Sequence, residues 1–347
     1  MAQPPFQADA FQIEPGSGQT LTLSRDATTG AMVFKDTLVP SGITLSNLAN
    51  LSTVTGVLTV GKGGTGAKYT TIQAALNAVP TSSSSTSPYV ILVFPGVYTE
   101  TLSWTKDGVS LIGLGRVVLQ PVGATPVVSI LAAVASTPLR ALLKDLTIIQ
   151  ANDGLACVSL VGGVGSTVGS LGIVLEGCDL QPTGIGGYTV YGDTINSLTL
   201  LNCRSDGVPS SASLRTTQCT GVRVLGGSQP LVQVDYNSAG ILPSVAISTY
   251  LFQDCYLIGN VLSTLQGGGA LEILNCSHVG NVTFNGTRTL TVSGSTIGTL
   301  ALNNTTRANL TASPHGAIPG AGTLQEDQLS GSSSFVAVDH VDEVFSV

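Results

Sequence analysis

Charge is scarce in this sequence: only 10% of the 347 residues are Asp, Glu, Lys or Arg, against roughly 25% in ordinary soluble domains. With a net charge of −7 and no Lys/Arg cluster, the chain has no electrostatic footprint for nucleic acid or an anionic membrane, and both are excluded as partners. Long apolar runs are also missing, since none approaches the roughly 20 residues of a membrane-spanning helix. The first residues, "MAQPPFQADAFQIEPG", lack the basic start and apolar centre of a secretion signal, so a cytoplasmic product is expected. Aromatics make up 5% with a single tryptophan, Trp104, which leaves little material for sugar-stacking platforms.

The chain is nonetheless 43% hydrophobic, enough to bury a large core. Its polar surface must come from Ser, Thr, Asn and Gln, an exterior suited to meeting neighbours. The 42 glycines and 16 prolines fall short of a collagen-like repeat and read as turn residues of an all-β chain.

A repeat runs through the middle. Cysteines recur in "LEGCDL", "LLNCRS", "FQDCYL" and "ILNCSH", each just after Gly177, Asn202, Asp254 or Asn275. Gly113, Asp145, Gly226 and Gly294 fit the same template without a cysteine, and successive pivots lie 32, 32, 25, 24, 28, 21 and 19 residues apart. Such spacing predicts solenoid coils with loops of unequal length. Two residues before each pivot stands an apolar side chain (Leu111, Leu143, Leu175, Leu200, Val224, Phe252, Ile273, Val292), and four before usually another. That period of two marks a strand with one buried face. A pivot restricted to Gly, Asn and Asp suits a backbone with positive φ.

The residue after the pivot is Leu114, Leu146, Cys178, Cys203, Gly227, Cys255, Cys276 or Ser295. Cys178, Cys203, Cys255 and Cys276 are therefore read as a structural ladder, small buried groups in one inward slot. With no CxxC pair and with His278, His315 and His340 far apart, neither a metal site nor a cofactor is expected. Cys157 and Cys219 lie outside the ladder and default to thiols.

The open end of such a solenoid must be covered. "YTTIQAALNAVP" (69–80) predicts a helix with Thr71 as N-cap, Ile72, Ala75, Leu76 and Val79 on one face, and Pro80 as the stop. A polar loop (81–88) and a buried strand ending in a Pro-Gly turn (89–98) follow. The Gly-rich entry, Tyr69, "TIQAAL" and "VFPGVYTE" within residues 64–102 resemble the opening of the pectin-lyase-like superfamily of right-handed β-helices, which includes pectinesterases. The resemblance implies that fold and leaves activity open, because the superfamily holds lyases, hydrolases, esterases and inert virion spikes.

Upstream, "LTLSRDATTGAMVFKDTLVPSGITLSNLANL" (21–51) resembles the N-terminal modules of bacteriophage tail fibres and virion appendages. Physically, "LTLSRDATTGAMVF" reads as a β-hairpin about an "ATTG" turn. "ITLSNLANL" reads as a short helix whose narrow stripe, Leu45, Leu48 and Leu51, needs a partner. Residues 312–334 look like linker, and "FVAVDHVDEVFSV" (335–347) like an apolar docking tail.

Glycan hydrolysis needs paired carboxylates roughly 5–9.5 Å apart on an outer face. The candidates for catalysis are Glu176, Asp179 and Glu272, with Asp193, Asp235 and Arg204 also turned outward. Beside the pivots these do not recur from coil to coil, and Glu176 and Asp179 with Arg204 one coil on are expected to form a surface salt bridge. The catalytic aspartates, glutamine and arginine of pectinesterases have no equivalents here. "GKGGTG" (61–66) lacks the Lys-Ser/Thr of a phosphate loop and is a Gly-rich turn.

The expected protein is all-β: a right-handed parallel β-helix (57–311) with a short N-terminal capping helix. A small β-hairpin/helix attachment module (1–56) precedes it and a linker with docking tail (312–347) follows. The resemblance implies a non-enzymatic structural protein of a bacteriophage particle, a tail spike, tail fibre or capsid decoration located in the virion. Homotrimerisation, contacts with other virion proteins through the two termini, and contact with a host surface glycan are the expected partnerships. The alternatives are a tailspike depolymerase and a cell-surface adhesin.

Overall fold

In a computed structural model, the structure describes residues 10–13, 21–25 and 32–35. Between 56 and 327 it describes all but 64, 133–138, 163–170, 206–213, 218, 220, 230–231, 237–248, 258–260, 266–269, 278, 287–288, 312 and 314–319. The chain divides into two compact units, Met1–Val54 and Thr55–Val347. In the first unit, Leu21–Arg25 and Met32–Lys35 pair antiparallel, with Arg25 opposite Met32, which is the hairpin that the alternation predicts. A further strand, Ala10–Ile13, joins the other edge of Leu21–Arg25 and was not legible in the sequence. The helix expected over 43–51 and the tail 335–347 lie outside the described residues.

The second unit is a right-handed parallel β-helix, and each coil contributes to three ladders. The pre-turn ladder stacks the strands that end at the pivots, among them Leu139–Lys144, Leu171–Glu176, Ser197–Leu201 and Gly221–Leu225. The post-turn ladder stacks short strands such as Thr147–Gln150, Asp179–Pro182 and Arg204–Ser205. The closing ladder stacks Leu102–Trp104, Val128–Leu131, Ala156–Val161, Tyr188–Asp193 and Leu214–Thr217. All pairing in the unit's named strands is parallel and nearly in register, so inward side chains of one coil rest on those of the next. Leu300–Thr311 is long enough to turn a corner, pairing with Val282–Gly286 by its start and Thr289–Ser293 by its end.

The eight residues two before the pivots are all fully buried, and with Val109, Ile173, Leu198, Val222, Tyr250, Leu271 and Leu290 they form one continuous core. Trp104 lies wholly inside it and its indole N–H donates to the Lys106 carbonyl at 2.8 Å. Burial of such side chains stabilises by about 1.5–3 kcal/mol each.

The helix occupies Ile72–Ala78, with Thr71 as N-cap accepting from the Ala74 amide at 3.2 Å. Ile72, Ala75, Leu76 and Val79 are buried in the core. Two side chains fasten this helix to the end of the solenoid. The Glu100 carboxylate accepts from the amides of Ile72 and Gln73, each at 2.9 Å, which satisfies orphan donors at the helix start. The Gln73 carboxamide pairs with both backbone groups of Ser103, at 2.7 and 3.1 Å, on the outermost strand of the closing ladder. Gln73 thus stands in for a further strand and closes the exposed edge.

Two expectations need correction. Gly113 holds the pivot register but not the pivot conformation: the positive φ of that coil falls on Gly115 (91°), and Leu114 is 39% exposed rather than inward. The first turn is wider because the chain reaches Val117–Gln120 only after Leu114, Gly115 and Arg116. The second concerns the stretch read as linker, where Gly320–Asp327 forms a strand parallel to Leu300–Thr311.

Candidate functional site

The most regular local structure is the pivot turn. Asp145, Asn202, Asp254 and Asn275 have φ between 51° and 55°, and Gly177, Gly226 and Gly294 between 60° and 69°. These residues meet the left-handed region at the least cost. Each pivot amide donates to the carbonyl just before the next pivot: Asp145 to Glu176, Gly177 to Leu201 and Asn202 to Leu225, at 2.8–2.9 Å. The side chains of Asp145, Asn202 and Asn275 lie where a Cβ on Gly177, Gly226 and Gly294 would stand, so carboxylate or amide alternates with bare backbone over these coils.

Inside the turn, Leu146, Cys178, Cys203, Cys255, Cys276 and Ser295 are all buried, and Ser313 continues the column one coil beyond the repeat read from sequence. Each thiol of the four donates to the carbonyl two before the pivot of the preceding coil: Cys178 to Leu143, Cys203 to Leu175, Cys255 to Val224 and Cys276 to Phe252, at 3.1–3.5 Å. Ser295 and Ser313 bond the carbonyl two residues back in their own coils. All six cysteines are free and buried. Burial pushes the thiols of Cys157 and Cys219 up to about 12, the opposite of a reactive cysteine. Among the described residues no group of three or more His, Cys, Asp or Glu could hold a metal ion. The three histidines lie outside the described residues.

The candidate carboxylates are dispersed. Glu176 pairs with Lys144, its register partner on the preceding coil. The reason is lateral stacking, because Lys144 and Glu176 both precede a pivot, whereas Arg204 lies past the pivot and faces Asp179 in the post-turn ladder. Asp179 accepts from its neighbour Gln181 at 2.6 Å, and its Oδ1 is buried with no hydrogen-bond partner. Glu272 stands between Leu251 and Thr291 in the pre-turn ladder. It lies four coils from Glu176, or roughly 19 Å at about 4.8 Å per coil. Glu176 and Glu272 therefore cannot flank one glycosidic bond.

The two longer ladders present different outer faces. On the pre-turn ladder Leu142, Val174, Leu201, Leu225, Leu251 and Leu274 point outward and are half-buried, with Leu142 beside Val174 and Leu201 beside Leu225 in register. On the closing ladder one outward column runs Ser103, Ser129, Ser159, Tyr191 and Arg215. Tyr188 lies beside Tyr191 there, so two tyrosines meet an arginine. Sequence reasoning missed this grouping because Arg215 is far along the chain from Tyr188.

The fold defines a parallel β-helical solenoid protein, and its ladders carry that statement alone. No family model and no curated protein matches the chain. Among solved structures it is similar to the pectin methylesterase PemA from Erwinia chrysanthemi, at 13% identity and a TM-score of 0.37, covering 82% of this chain and 92% of that one. It is similar to the pectin methylesterase from Aspergillus niger at 16% identity and a TM-score of 0.30, covering 83% and 92%. A third likeness is to ORF18 of Geobacillus virus E2, at 12% identity and a TM-score of 0.33, covering 88% and 68%. None of these likenesses bears on activity. Among the described residues no helix is long and apolar enough to cross a membrane.

Proposed function

We propose that this protein is a non-enzymatic structural component of a bacteriophage particle, a β-helical spike, fibre or capsid decoration that assembles as a homotrimer. The observation that carries the reading is the aliphatic outer face of the pre-turn ladder. Outward Leu142, Val174, Leu201, Leu225, Leu251 and Leu274 on a chain with only 10% charge are suited to packing against neighbours. The charges on this ladder's outer face are few: Arg140, the Lys144–Glu176 pair, Arg223 and Glu272. The resemblance of residues 21–51 to phage appendage modules gives Met1–Val54 the attachment role, and the apolar sequence of residues 335–347 after a Gly/Ser-rich stretch gives them the role of a clasp between subunits. The solenoid is the stiff element between them.

The test is the mass of the full chain by light scattering, together with incorporation of a chain lacking residues 1–50 into particles. A trimer whose truncated form stays folded and no longer joins particles supports the reading. A monomer, or retained incorporation, overturns the assembly or the anchor respectively.

One observation favours a second reading, a depolymerase. Asp193 and Asp235 stand at matching register positions of the closing ladder with Thr217 between them. Two coils separate them, roughly 9.6 Å, near the spacing of an inverting pair. Release of reducing ends from bacterial polysaccharide, abolished by Asp193→Asn, would establish it.

A further inference from the structure

The closing ladder gathers side chains that the assembly role does not use. Tyr188 and Tyr191 pack with ring centroids 5.8 Å apart and planes tilted by 46°. Arg215, in register with Tyr191 on the next coil, donates from Nη1 to the Tyr188 hydroxyl at 3.0 Å and lies 5.7 Å from its ring centroid. Asp193 lies one outward position beyond Tyr191. Its Oδ1 accepts from Thr217 at 2.8 Å and from Thr194 at 3.2 Å, while Oδ2 bonds no described residue. The Tyr191 hydroxyl likewise has no hydrogen bond among the described residues.

Each part has a reason. Strands with outward Tyr191 and inward Val190 and Gly192 hold the ring on a flat, rigid sheet, and Arg215 fixes the neighbouring ring by hydrogen bond and cation–π contact. Two threonine hydroxyls saturate one oxygen of Asp193, which fixes the carboxylate and leaves the other as an oriented acceptor. An aromatic plane beside a fixed acceptor and a free phenol is complementary to a pyranose, which offers an apolar C–H face and hydroxyl donors at its rim. The serine column Ser103, Ser129 and Ser159 leads to Tyr191 at one hydroxyl per coil, or about 4.8 Å. That is a polar floor along which further sugar units can lie.

We infer that the outer face around Tyr188, Tyr191, Asp193 and Arg215 binds a neutral hexose oligosaccharide lying along the solenoid axis. Neutrality follows from the acceptor: an acidic sugar would bring its carboxylate against Asp193 on a chain of net charge −7. The site deepens the contact with a host surface glycan expected of a particle protein, yet stands on its own geometry.

The test is isothermal titration of the full chain with cellohexaose, maltohexaose and mannohexaose, with hexagalacturonate as the acidic control. At least one neutral hexasaccharide binds, and hexagalacturonate does not. Tyr191→Ala weakens that binding about tenfold or more, and Tyr191→Phe, which keeps the ring and the fold, weakens it about fivefold. Absence of binding by all three neutral probes overturns the inference, as does equal affinity in Tyr191→Ala or preference for hexagalacturonate. Incorporation into particles is scored separately: a protein that assembles but binds no saccharide sinks the site alone, and one that binds but does not assemble sinks the structural reading alone.

Discussion

The pre-turn and closing ladders share one core and one coil repeat, yet prominent columns on their outer faces differ in chemistry. One shows Leu142, Val174, Leu201 and Leu225 to the outside, the other Ser129, Ser159, Tyr191 and Arg215. Inward positions on both are almost all apolar, Thr216 being an exception, because every coil must bury its side chains against the next. Outward positions are free of that demand, so the outward residues carry the functional signal. An aliphatic face invites a protein neighbour, and a hydroxyl-rich face with fixed rings invites a sugar.

The sharpest way to break this contrast is to charge the aliphatic face. Leu201→Asp with Leu225→Asp, adjacent in register, is expected to reduce the mass in light scattering to that of one chain while circular dichroism stays unchanged. Tyr191→Ala on the closing ladder is expected to leave the mass intact, and equal loss in both would erase the distinction between faces. A smaller effect should reach both faces together. Gly227 has φ of 80°, and an added Cβ would collide with the Cys203 carbonyl. Gly227→Ala is expected to lower stability by about 2–4 kcal/mol, read as one earlier thermal transition, with saccharide binding and mass unchanged below it.

Alkali should act on the shared interior. Cys157 and Cys219 titrate at about 12 in the fold against an ordinary 9.0, because burial disfavours the thiolate. Between those values the unfolded chain releases protons that the fold retains. Stability is therefore complete below pH 9 and falls as pH rises toward 12, by about 1.4 kcal/mol per pH unit for each thiol. Urea unfolding at pH 8, 10 and 11 checks the slope, and a flat profile would contradict the buried-thiol account. Smallest of all is Cys203→Ser, expected to cost about 1 kcal/mol, since serine already fills this slot at Ser295 and Ser313 and can keep the donor to Leu175. A loss of about 3 kcal/mol or more in chemical unfolding would show that sulfur volume, rather than the hydrogen bond, matters there.

The coil itself was legible because its pivot imposes a backbone demand that only Gly, Asn and Asp meet cheaply, and because inward side chains alternate strictly before it. Thr71 and the apolar face of its helix were legible for similar local reasons. Gly113 misled, since a residue that tolerates positive φ need not adopt it, and the wider turn through Gly115 leaves Leu114 outside. The Glu100 clamp, the Gln73 edge cover, the Lys144–Glu176 pair and the Tyr188–Arg215 contact were not legible. Each joins residues at least 27 positions apart. Loops of unequal length hide which residues of successive coils come into register, so a lateral pair leaves no periodic trace. Glu272 stands four coils from Glu176 for the same reason: outwardness can be read from alternation, but neighbourhood cannot.

The edge cover formed by Gln73 and Glu100 bears on how the chain winds during synthesis. Both residues leave the ribosome before any of the regular coils, so the first edge is finished while the rest is still untranslated. Across most of the solenoid each new strand pairs with one made about 20–30 residues earlier, so each pairing is local to one coil. Nascent coils can then be laid down one at a time on a completed template, and a chain stalled between pivots is a shorter rod rather than an unfolded one.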